Sequence, residues 1–246
     1  MRQKGSCISL ARMESSGNEK KWNLVPGVWY NVGWHLYNIG GRIVNTRKVV
    51  FLFYSTFIIG TTAGVLMGLF LDFGTHMQDL REGNLGGMFM LFVGAGIWTI
   101  ISQMGFFAYL TIHRFGLGIF KSTQLWNRVQ VVLIAFVLFD LVFFRHLAFA
   151  DDGESFVGYL ILPLFLLGYS VIVSYLKAKD TNFTAFIPTL FFMVVVTTIE
   201  WIPALRENDP TFLWTALVPL LVANTWQIMV LHRLHQQPNK KEPKKA

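Results

Sequence analysis

Gln103, Asp140, Arg145, Glu200 and Asn224 are polar side chains within stretches of this chain that are predominantly apolar. In hydrocarbon an ionised group costs at least ~2.5–3.5 kcal/mol, so each needs a partner or a task. Asp140 stands 11 residues from Val129, where its stretch begins, and Gln103 and Asn224 fall at similar depth in theirs. A carboxyl and two amides at one level could pass a proton, hold an ion or carry a conformational signal. They could equally form an interhelical hydrogen-bonded knot, at ~0.6 kcal/mol per bond on average. Too few polar groups are present to line a pathway, which favours the knot. Arg145 and Glu200 lie 16 and 17 residues from the same end of their stretches. Matched depth and opposite sign predict a structural salt bridge, with snorkelling of Arg145 to the headgroups as the alternative.

The elements that must position these groups are six long apolar stretches. The first, Val49–Leu71, holds no charged residue. About Gly86–Ile112, Val129–Phe149, Val157–Leu176, Phe183–Leu205 and Thr211–Leu231 follow. Such lengths span a ~30 Å hydrocarbon core at ~1.5 Å per residue. A soluble core helix would carry a polar face, and these mostly do not. The expected fold is all-α, a polytopic bundle of six transmembrane helices.

Lys and Arg orient it. The leader, the loop around Arg114–Arg128, Lys177 with Lys179, and the tail hold 18 of the 21 basic residues. The opposite side has Arg81, Arg145 and Arg206 among a majority of acids. This asymmetry predicts both termini in the cytoplasm, and an even number of spans agrees with it. The net charge of +7 is then a topology signal and not a nucleic-acid footprint. Tail lysines could also meet anionic lipid, at about 1 kcal/mol each near the surface. Cys7 stands alone, so no disulfide framework is expected.

Residues 1–48 read as a polar, then aromatic and glycine-rich leader that is disordered or lies at the membrane interface. Residues 49–232 form the membrane domain, and 233–246 a basic cytoplasmic tail. Gly40 and Gly41 can be encoded by a purine-rich ribosome-binding stretch, so translation starting near Val44 is the alternative for the leader.

Gly60, Gly64 and Gly68 repeat at helical spacing and let another helix approach closely, either inside the bundle or from a partner. Packing inside the bundle is the preferred reading. Pro163, Pro188 and Pro219 should kink the last three spans or free backbone carbonyls. The segment His113–Arg128 reads as the largest cytoplasmic loop. Its Phe115, Phe120 and Trp126 suit an interface or a protein partner. Gly116 and Gly118 supply turn freedom without making a phosphate-binding fingerprint. No paired metal-ligand histidines, nucleophile elbow or cysteine pair occurs, and the loops are too short for a catalytic domain. A non-enzymatic protein without cofactor or metal is expected, and the residues leave its oligomeric state open.

The stretch Ser102–Phe149, with NTRKVVFLFYSTFIIG at Asn45–Gly60, resembles the KbaA family, the KinB-signalling-pathway activation proteins of endospore-forming bacteria. The resemblance covers nearly the whole chain after the leader. It implies a multi-pass protein of the cytoplasmic membrane that helps activate a membrane sensor histidine kinase feeding the sporulation phosphorelay. It brings no catalytic residues with it. A small transporter or permease-like protein is the alternative, and the lack of an evident duplicated half speaks against it.

Overall fold

A computed structural model describes residues 46–150 and 156–235; the leader up to residue 45, its alternative start, and the tail from residue 236 lie outside the described residues. Every element among them is helical. In order they are α1 (Thr46–Leu71), a short α2 (Phe73–Arg81), α3 (Gly86–Phe120), α4 (Thr123–Phe149) and α5 (Phe156–Asp180), then α6 (Phe186–Phe191), α7 (Thr197–Glu207) and α8 (Pro210–His235). A 3₁₀ turn at Phe183–Ala185 leads into α6, and a π-helical turn at Phe192–Val196 joins α6 to α7. These pieces make one span of Phe183–Glu207, so among the described residues six helices are long and apolar enough to cross a membrane. The all-α, six-span architecture expected from hydropathy is the one observed.

The expected loop after Ile112 is not a loop. α3 continues to Phe120 and is 35 residues long, about 52 Å at 1.5 Å per residue, well beyond a ~30 Å core. Lys121 stops it in the left-handed region (φ 51°), its N–H bonding the Leu117 carbonyl at 3.1 Å. Ser122 is extended, and its Oγ accepts the Leu125 N–H at 3.4 Å, capping α4. Two residues therefore reverse the chain. At the other end of the bundle Asn208 (φ 52°) closes α7, and Asp209 Oδ1 accepts the Phe212 N–H at 2.7 Å, with Pro210 opening α8.

α1, α3 and α8 pack most closely, because the faces between them are small. Gly60, Gly64 and Gly68 are all buried. A Cβ on Gly60 would stand 2.6 Å from Thr99 Cγ2 of α3 and 3.1 Å from Ala223 Cβ of α8. On Gly64 it would stand 2.7 Å from Ala95 Cβ and 3.2 Å from Pro219 Cβ, and on Gly68 it would overlap Leu91. The glycine stripe thus lies against α3 and α8. The fifth span is buried on every side through its π turn, where Phe192, Met193 and Val194 are fully enclosed, as a helix apolar all round should be. α4 is the opposite case. Only Trp126, Gln130, Ile134 and Leu141 are buried, one stripe at helical spacing, with Val137 and Leu138 partly buried against the core and much of the remaining surface facing outward.

Candidate functional site

Fourteen to seventeen residues into each span, the bundle holds a buried polar network linking α3, α7 and α8. Its hub is Asn224, fully enclosed on α8. The Asn224 amide donates to Glu200 Oε2 at 2.7 Å and to Thr197 Oγ1 at 3.0 Å. Its carbonyl accepts the Ser102 hydroxyl at 2.8 Å. Ser102 Oγ accepts in turn from Gln227 Nε2 at 2.9 Å. Both amide protons of Asn224 are used and its oxygen is occupied, so its orientation is fixed. Helical spacing builds the network: Thr197 with Glu200, and Asn224 with Gln227, stand three apart and share a face.

Gly105, three residues beyond Ser102, completes it. A Cβ there would overlap Glu200 Oε1, so only glycine leaves room for the carboxyl. Oε1 itself is buried with no hydrogen-bond partner among the described residues. Trp201, wholly enclosed beside Glu200, donates Nε1 to the Leu213 carbonyl at 3.1 Å and ties α7 to α8.

The network contains Asn224 and Glu200 but not the other residues expected near them. Gln103 is buried with both amide atoms unpartnered among the described residues, although it adjoins Ser102. One residue turns an α-helix by about 100°, and that rotation takes Gln103 out of the network at the correct depth. Asp140 is likewise elsewhere. It lines a cleft of about 460 Å³ between α4 and α7, with Phe144, Thr198, Ile199, Ile202 and Arg206 among the other lining residues.

Arg145 and Glu200 are not an ion pair. Arg145 Nε donates to Asn208 Oδ1 at 2.9 Å, and its guanidinium lies over the Tyr159 ring, 5.4 Å from the centroid. Glu200 turns inward to Asn224. Arg145 stays at the end of the bundle where α7 and α8 join, the position that keeps a guanidinium nearest to water.

Trp126 is buried at 5% exposure, not offered to a partner. Its ring fills the space over Gly116, where a Cβ would stand 2.5 Å from Cε2. Nε1 donates to His113 Nδ1 at 3.1 Å, and Phe120 stacks on the ring at 5.5 Å. Of the three expected partner residues, Phe115 is well exposed, Phe120 half-buried and Trp126 internal.

A second polar set, unforeseen in the sequence, joins helix ends beside the α3–α4 turn's side of the bundle. Lys177 Nζ lies 3.0 Å from His232 Nδ1, and His232 Nε2 lies 3.0 Å from Asp180 Oδ2. Lys48 Nζ donates to the Leu234 carbonyl at 2.7 Å. These contacts tie α5 and α1 to α8. The i,i+3 spacing of Lys177 and Asp180 was the available signal. Among the described residues no three His, Cys, Asp or Glu side chains converge as metal ligands would.

The family model of KbaA, KinB-signalling pathway activation in sporulation, matches residues 60–234, a range that holds the network and the cleft. A KinB-signaling pathway activation protein of Bacillus subtilis (strain 168) is 41% identical over 192 residues, which cover 76% of this chain and 97% of that protein. No solved structure matches.

Proposed function

The chain belongs to the KbaA family of KinB-signalling pathway activation proteins in sporulation, and from that premise we propose that it acts without catalysis, by direct contact with the pathway's membrane sensor kinase. The observation that carries this reading is the hydrogen-bonded network of five polar side chains that joins α3, α7 and α8. Ser102, Thr197, Glu200, Asn224 and Gln227 bond one another and present no arranged nucleophile, base or metal set. Such a network fixes helix rotation, and so fixes which side chains the bundle shows to a neighbour. A permease-like role would need a polar route through the bundle. The cleft at Asp140 is the feature that speaks for one, but its walls are mainly Phe, Ile, Leu and Val.

The basic residues support an orientation with both termini in the cytoplasm. An alkaline phosphatase fusion should then be active at 151–154 and inactive at 177–180, and the reverse pattern overturns the orientation. The direct test of the function is co-purification of the kinase with this chain from detergent. Recovery of the kinase dependent on the chain is expected. Normal kinase activation with no recoverable complex would remove direct contact.

A further inference from the structure

The geometry points to the α4–α7 cleft as the seat of a transmembrane helix of the sensor kinase, one that places a basic side chain against Asp140. This inference rests on the reading that the chain touches the kinase. Asp140 Oδ1 is buried, and no hydrogen bond reaches the residue among the described residues. The possible donors within the cleft are committed or distant. The Thr198 hydroxyl donates to the Val194 carbonyl at 2.7 Å. Arg145 donates to Asn208 at 2.9 Å. Arg206 lies eight residues beyond Thr198 on α7, about 12 Å further along the helix. A carboxyl at mid-span ordinarily faces the bundle interior, a wet cavity or a partner. Asp140 instead sits in the wall of an apolar cleft whose Phe144 and Ile199 are exposed on the bundle's surface.

Charge complementarity therefore selects the occupant. An acyl chain would fill the space and leave the carboxyl unmatched. A second copy in the same membrane orientation would set its own Asp140 at the same depth, carboxyl against carboxyl, while Arg145 and Arg206 of the cleft lie toward the end of the bundle. A helix carrying Lys, Arg or His at that depth both fills the apolar walls and pairs the carboxyl. Phe144, Ile199 and Ile202 supply the apolar walls that such a helix would pack against.

The test places a photo-crosslinking residue at Ile199 in cells that express the affinity-tagged sensor kinase. Phe70, the most exposed large apolar residue of α1 at 78%, carries it as the control. A kinase adduct from Ile199 and none from Phe70 is expected. Asp140→Leu should lower that adduct at least tenfold with the chain's level unchanged. Asp140→Asn, which keeps the shape and removes the charge, should lower it severalfold. Adducts at Ile199 with lipid only, or with a second copy of the chain, overturn the inference. So does an adduct undiminished in Asp140→Asn. If the kinase co-purifies with the wild-type chain but no Ile199 adduct forms, the cleft fails while direct contact stands. If neither occurs, both fail.

Discussion

Around α1, glycine and alanine bring three helices so close that a single added carbon would collide, and Ser102, Asn224 and Glu200 bond one another beside them, while Thr56, Thr61 and Gln103 have no side-chain hydrogen-bond partner among the described residues. Between α4 and α7, Phe144 and Ile202 border an open cleft and Asp140 has no bond among the described residues. The helices are similarly apolar, so hydropathy does not distinguish the two regions. In lipid no hydrophobic force drives one apolar helix onto another, and association rests on close packing and hydrogen bonds. Small side chains permit that packing on the first side. The second side is walled mainly by larger side chains, and a cleft stays open there.

Trp126→Ala should have the largest effect, because this ring anchors an α4 that is otherwise little buried. A loss of about 3–5 kcal/mol is expected for a buried Trp, seen as a collapse of folded protein in membranes. Phe115→Ala, on the exposed face of the same hairpin, should leave the level unchanged and weaken sporulation signalling if this face meets the kinase. Equal losses of level from both would break the distinction between anchor and surface.

Gly64→Leu tests the closed side. It drives bulk into Ala95 and Pro219, and overpacking of this kind costs about 1–3 kcal/mol. Protein level and signalling should fall together. A normal level with signalling abolished would mean that α1 is a docking face, against the packing observed.

Gly105→Ala should cost somewhat less, about 1 kcal/mol or more, since it must displace the Glu200 carboxyl. In a Glu200→Ala background the same change should cost little, measured as thermal midpoints in detergent. Fully additive losses would show that the two side chains do not meet.

Asp140→Leu should have the smallest effect on stability, within about 0.5 kcal/mol or slightly stabilising, because it breaks no bond in the described bundle. A thermal loss as large as that of Gly64→Leu would show the cleft to be part of the closed core, and the contrast between the two regions would disappear.

Length and hydropathy alone determined the six spans, the all-α class and the depth of each polar residue, because the rise of a helix is fixed and hydrocarbon admits little else. Asn224 was legible as an intramembrane hydrogen-bonder, and Gly60, Gly64 and Gly68 as a packing stripe. Tertiary structure decided the partners. Gln103 and Ser102 differ in depth by one residue, yet only Ser102 reaches Asn224. Arg145 and Glu200 match in depth and sign, yet one turns to Asn208 and the other to Asn224. Trp126 sits in a segment whose charges and glycines suggested a loop, and is enclosed because α3 and α4 fold into a helical hairpin over Gly116. Counting along a helix gives height, whereas its rotation is set by which side chains fit a neighbour. A sequence apolar on every face carries no periodic signal from which that rotation could be read.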